Sequence, residues 1–167
     1  MADGVEFNLT GLEDLRAKLK EIDKDVRFKG GRFALRKAAQ VVRDAARQNA
    51  GRVDDSRTTE DIAKNIVERW NGRLNKQTGD LGFRIGVMGG AKAPAVASGE
   101  IAGKGKANPG GDTFYWRFLE FGTKDIAARP FIRPAMTDNV QAATDEFIKQ
   151  YDKAVERAIR RAKKTGK

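Results

Sequence analysis

The sequence predicts an α+β fold, a small antiparallel β-sheet packed with two to three α-helices, one of them a long basic C-terminal helix. Three observations carry this. Apolar residues recur at helical spacing at both ends of the chain, two short β-like runs flank a turn in the middle, and Lys and Arg gather after residue 149. The length of 167 residues suits a single domain over 1–167, and with 34% charged residues little apolar material remains beyond one core.

From the start of the chain, Leu12, Leu15, Leu19, Ile22 and Val26 fall at three- and four-residue steps and predict a helix from about Gly11 to Val26. Thr10 can cap it, and Glu13 and Asp14 suit the positive end of its dipole. Gly30-Gly31 is then expected to break the chain. A second helix, about Arg32 to Ala50, places Leu35, Ala38, Val42, Ala45 and Ala46 on one side, with Gly51 positioned to end it. The polar run Arg52 to Thr59 reads as a loop, and a short helical turn with Ile62 and Ile66 follows.

The runs Ile66 to Leu74 and Leu81 to Met88 flank NKQTGD, whose Thr78-Gly79-Asp80 is turn chemistry, so the pair reads as a hairpin. Phe83, Ile85 and Val87 alternate with Gly82, Arg84 and Gly86, as in a strand with one buried face. The stretch 89–112, rich in Gly, Ala and Lys and without periodicity, is expected to be a flexible loop that a neighbouring subunit could order. A final helix should start near Pro134, with Met136, Val140, Ala143, Phe147, Tyr151, Ala154, Ala158 and Ala162 as its stripe.

The composition removes much chemistry. With no Cys and no His, thiolate nucleophiles, disulfides, Cys or His zinc sites and imidazole acid-base catalysis are excluded. The string GEIAGKGKANPGG is not a P-loop, because three residues separate Gly99 from Gly103 where four are needed, and Gly105 follows Lys104 where Ser or Thr should reach a metal. It is not a dinucleotide fingerprint either, since Asn108 takes the place of the last Gly. Asp54-Asp55 and Glu60-Asp61 are adjacent carboxylates that do not converge by themselves and read as solvated loop charges. No cofactor, no metal and no catalytic residue is expected, and a metal-dependent hydrolase has little to work with. The start of the chain lacks the basic head and apolar core of a secretory signal, and no stretch approaches the roughly 18 apolar residues of a membrane span.

The densest segment is FYWRFLEFGTKDIAARPFIRPAM, Phe114 to Met136. Its aromatics interleave with Arg117, a mixture found in single-strand nucleic-acid platforms, but Tyr115, Phe118 and Leu119 fall at i, i+3, i+4 and favour core or subunit-interface packing. Glu120, set between Leu119 and Phe121 and expected between buried aromatics, would need a partner, with Arg129 and Arg133 the candidates. Gly122 suggests a backbone angle that a Cβ would oppose, and Pro130 and Pro134 stiffen the link to the last helix.

Within this segment Glu120-Phe121-Gly122-Thr123 is followed by Ala128-Arg129-Pro130-Phe131-Ile132-Arg133-Pro134-Ala135. An EFGT turn leading through ARPFxRPA into a final helix resembles the signature of small tail and neck proteins of long-tailed bacteriophages, the tail-completion or head-tail joining proteins similar to the minor tail protein Z group and HK97-type tail components. The opening Glu6 to Ile22 is similar to that family's short first strand and GLxxLxxxL helix, and the Ala-rich second helix also fits. Where the family has TGxLxxSI, this chain reads RTTEDIAKNI from Arg57 to Ile66, similar only in its closing Asn-Ile.

The resemblance implies a non-enzymatic virion component, assembled in the host cytoplasm, that acts at the head-proximal end of the tail or in the neck. Its partners would be other neck and tail proteins (tail terminator, tail tube, connector) and copies of itself, with a hexameric ring matching the sixfold tail. Tyr115, Trp116, Phe118, Glu120, Phe121, Gly122, Thr123, Arg129, Pro130, Phe131, Arg133 and Pro134 are then the candidate interface residues. The competing reading is a basic nucleic-acid-binding protein without catalytic activity, which the net charge of +10 favours and no motif supports. The segment 149–167 holds eight basic residues against Asp152 and Glu156, so a helix and tail there could meet packaged DNA or an acidic partner. Arg157, Arg160, Arg161, Lys163 and Lys164, with Lys104 and Lys106 of the loop, are the residues for that contact.

Overall fold

The computed structural model describes residues 24–53, 61–88 and 109–165. The expected first strand, most of the first helix, Asp54, Asp55, Glu60 and the bulk of the 89–112 loop, with Lys104 and Lys106, lie outside the described residues.

Mostly helical, the described chain carries one two-stranded antiparallel sheet and a long C-terminal helix, so the α+β expectation holds. A π-helical turn, Asp25–Gly30, runs directly into helix α1, Gly31–Val53. Gly30-Gly31 therefore does not break the chain, since Gly31 has the helical angles φ −61° and ψ −44°. Its lack of a side chain serves close packing: a Cβ there would sit 3.0 Å from Leu81 Cδ1 and 3.8 Å from the Tyr151 ring. Gly51 likewise lies inside α1, with open space where its Cβ would be.

The buried stripe of α1 is Ala34, Ala38, Val42, Ala46 and Ala50, one residue per turn and almost all alanine. Small side chains at i, i+4 spacing let other backbones approach closely. Against this stripe pack the π-helical turn, helix α2 (Ile62–Asn65), the sheet and the two C-terminal helices. Ile62, Ile66, Phe131 and Ala135 complete the central cluster, and Ala154 anchors the last helix.

Strands β1 (Ile66–Trp70) and β2 (Phe83–Val87) pair antiparallel with Ile66 opposite Val87 and Trp70 opposite Phe83. They do not form a simple hairpin. Asn71 to Leu74, expected to extend the first strand, belong to the connection, which is helix α3 (Gly72–Thr78). Asn71 caps it by accepting from Leu74 N–H, and Gly79 ends it in the left-handed region at φ 77°. A capping Asn and a terminal Gly with seven residues between them define a helical excursion, and the apolar run before them concealed it.

Helix α4 (Trp116–Phe121) leads through a turn to α5 (Ile132–Asp138) and α6 (Val140–Thr165). The expected single final helix is thus two. Asn139 leaves helical geometry at φ −116°, and its side chain donates to Ala135 O, taking one of the last carbonyls of α5. The consequence reaches the expected stripe: Phe147, Tyr151, Ala154 and Ala158 face α1 or its neighbours, but Met136 and Val140 are exposed by 56% and 57%. Phe147 and Tyr151 stack with ring centroids 5.5 Å apart.

Candidate functional site: the Glu120 turn and its exposed aromatics

The segment from Gly110 to Ala135 is fixed at two points. At the first, the fully buried Asn65 accepts from Gly110 N–H at 2.7 Å and donates to Gly111 O and Thr113 Oγ1, both at 2.9 Å. Asp61 N–H donates to Gly110 O at 2.7 Å, and a Cβ on Gly110 would collide with Asp61 O, so only glycine fits. This clasp ties the end of the 89–112 stretch to α2. Asn65 was missed in the sequence, although a polar side chain between Ile62 and Ile66 on a buried turn is the signal that would find it.

The second point is Glu120, 1% exposed. One carboxylate oxygen accepts from Phe131 N–H at 2.7 Å and Ile132 N–H at 2.9 Å, and the other accepts from Arg133 N–H at 3.0 Å. These are the orphan amides of the first turn of α5. The next residue, Pro134, has no amide, so every donor at this helix end is accounted for by one glutamate and one proline. The negative charge also sits at the positive end of the helix. Arg133 is the expected cationic partner, donating through Nε to the carboxylate at 3.3 Å and through Nη2 to Glu120 O at 2.6 Å. Arg129 is not: its backbone N–H donates to Leu119 O, and its residue is exposed.

Between these anchors the turn closes on itself. Gly122 has φ 73° and ψ 176°, a region essentially reserved for glycine, and a Cβ there would lie 3.0 Å from Ile126 O and Ala128 N. Thr123 N–H donates to Ile126 O, and its hydroxyl accepts from Asp125 and Ile126 N–H. Phe131 is fully buried, with Asn49 donating to its carbonyl, which docks the start of α5 on α1.

The aromatics divide. Tyr115, Trp116 and Leu119 pack on the core cluster. Phe118 and Phe121 do not: they are exposed by 45% and 62%, so Phe118 leaves the expected core stripe and Glu120 is flanked by an exposed ring. Six residues of helix could not reveal which side faced inward. Arg133 lies over the Phe121 ring, 5.3 Å from its centroid, so one guanidinium links the buried carboxylate to the exposed aromatic. Ile126, at 49%, adds apolar surface beside them in the chain. Pro130 is exposed, Pro134 half-buried. Trp116 Nε1 is buried without a hydrogen-bond partner among the described residues.

The basic residues of the last helix are elsewhere. Arg157 and Arg161 line a groove of about 210 Å³ with Val26, Lys29, Phe33 and Ala154, while Arg160 pairs loosely with Glu156 at 3.8 Å. Lys163 and Lys164 are exposed in the last turn of α6.

A rigid turn presenting apolar rings beside a cation has the equipment of an assembly surface, since aromatic and arginine side chains are enriched where proteins meet. A family model for HK97-gp10-like bacteriophage tail components matches residues 13–122, about two thirds of the chain. The chain belongs to this family of phage tail components and is a tail-related structural protein of the virion. The match includes the stretch from Arg57 to Ile66 and ends at Gly122, so the ARPFIRPA element and both C-terminal helices lie beyond it. No curated protein and no solved structure matches the chain. Among the described residues no helix is long and apolar enough to cross a membrane, and no group of three or more acidic residues could hold a metal ion.

Proposed function

We propose that the protein is a non-enzymatic component acting at the head-proximal end of the tail or in the neck, where it completes the tail and joins it to the head. It does so as a ring of identical subunits, six in the assembled virion. The observation that supports this most is the Glu120 turn. A buried carboxylate, a glycine-only angle and a proline fix the backbone, and two phenylalanines are left outside. Exposed rings on a fixed backbone lose little freedom when a partner covers them, so the association is stronger for the same buried area. Phe118, Phe121, Gly122, Thr123, Arg129, Pro130 and Arg133 then contact the neighbouring subunit or tail protein. Glu120, Phe131 and Pro134 position them, and Tyr115 and Trp116 anchor the turn to the core.

The thin, alanine-rich core of α1 agrees with a subunit that gains further stability in an assembly. Electron microscopy of lysates from a phage lacking this gene tests the reading. Separate DNA-filled heads and finished-length tails are the expected result. Overlong tails would move the role to tail termination, and normal virions would refute a neck function.

A further inference from the structure

At the far end of α1 from the Glu120 turn, the sheet carries a second surface. Register places Arg69 of β1 opposite Arg84 of β2, both exposed. Like charges directly opposite on paired strands are unfavourable. Neither has a carboxylate partner among the described residues, and Arg69 donates through Nη2 to Met88 Sδ. Arg69 belongs to two hollows, one of about 540 Å³ shared with Arg84 and one of about 500 Å³ shared with Lys29, Arg32, Arg36 and Trp70. In the second, Arg32 stacks over Trp70 at 4.4 Å, which uses the face of the guanidinium and keeps its N–H edge for an acceptor.

The acid lining the second hollow is Glu68, and it is already engaged. One oxygen accepts from Arg43 at 2.7 Å, and the other from Gln40 at 3.2 Å and Arg36 at 3.3 Å. Arg69 and Arg84 thus share a hollow with no lining carboxylate, and the second hollow adds Arg32 beside a carboxylate that is spoken for. The aromatics here already meet cations or each other: Trp70 has Arg32 on its face and Phe83 against it edge-on at 5.4 Å, and the exposed Phe33 has Lys37 Nζ 5.8 Å from its centroid. That arrangement suits contact with phosphates and offers little for stacking bases, which single-strand platforms require.

We infer that the sheet tip, through Arg32, Arg69 and Arg84, binds the phosphodiester backbone of duplex DNA without reading its sequence. A duplex carries one phosphate charge per about 1.7 Å of axis, so such a surface meets several at once. Arg69 and Arg84 lie apart from the α6 groove, which meets only the second hollow at Lys29 and Phe33, and the inference does not depend on the neck assignment, because it is read on the isolated protein.

The test is fluorescence anisotropy of the full chain with a short labelled duplex of mixed sequence, titrated from about 50 mM salt upward. Binding should weaken linearly on a log-log salt plot. Arg69→Gln with Arg84→Gln should lower the slope by about 1.8 and the affinity at least about tenfold at low salt, as expected for two lost phosphate contacts. The paired Glu substitutions should weaken it further, and circular dichroism confirms that each variant is folded. Lys124→Gln, an exposed cation that lines neither hollow, should keep the wild-type slope. No binding at about 50 mM salt, an unchanged slope in the Arg69 and Arg84 variants, or binding confined to single strands would overturn the inference.

Discussion

Two glutamates in different parts of the fold are removed from water and neutralised in contrasting ways. Glu120 is held chiefly by backbone amides of Phe131, Ile132 and Arg133, Glu68 by the side chains of Arg43, Gln40 and Arg36. A carboxylate satisfied by amides fixes the path of the chain. One satisfied by side chains fixes only where those side chains lie. The first therefore yields a rigid turn with exposed rings at Phe118 and Phe121, the second an orderly cationic surface over two strands. One site leaves apolar rings exposed, and the other leaves charge.

The sharpest break in the comparison is Glu120→Ala. It strands three amides and Arg133 at a buried helix end, and should lower stability by about 3–5 kcal/mol in urea unfolding. A loss below about 1 kcal/mol would show that the turn holds itself without the carboxylate. Glu68→Gln should cost less, about 2 kcal/mol, because water reaches Arg36 and can take over part of its solvation.

The same residue sets an acid dependence. Burial alone would raise the Glu68 carboxyl, but the hydrogen bonds from Arg43 and then Gln40 outweigh it and hold it at about 2, below its ordinary 4.5. A lowered folded value means that this contribution is complete above about 4.5 and disappears as the pH falls toward 2. Wild type and Glu68→Gln should therefore converge in stability across that window, and a gap that stays constant down to pH 2 would count against the Arg43 pairing.

Gly122→Ala comes next, at about 1–2 kcal/mol, since alanine opposes a φ of 73° with a ψ of 176°. The smallest effect on stability belongs to Phe121→Ala, within about 1 kcal/mol, because the ring is mostly in solvent and loses only the contact with Arg133. Thermal melts rank these two directly, and a larger loss for Phe121→Ala would mean that the ring is structural.

Much of this architecture was legible in the chain. The alanine spacing gave α1, the alternation gave β2, and the requirement of Glu120 for a partner followed from its neighbours. Arg133 was correctly among the candidates. What the sequence hid was the identity of the main partners, because backbone amides leave no mark in a side-chain pattern. The trace that could have been read is Pro134, a residue lacking the one amide that Glu120 does not reach. Glycines misled in one direction: Gly30, Gly31 and Gly51 read as breaks and are helical, since an absent side chain signals close approach as readily as a turn. The break at Asn139 escaped because the apolar spacing continues across it. The sheet-tip arginines were invisible as a group, as Arg69 joins Arg84 in one hollow and Arg32 in the other only once the strands pair against α1.

The central claim is that the Glu120 turn is a rigid mount for exposed aromatics that join this subunit to the rest of the tail. Complementation of a gene-deleted phage with the Phe118→Ala, Phe121→Ala double variant, scored by electron microscopy beside a melt of the purified protein, tests it most directly. A melting temperature close to wild type with unjoined heads and tails is the predicted result. Normal, infectious particles from the double variant would contradict it.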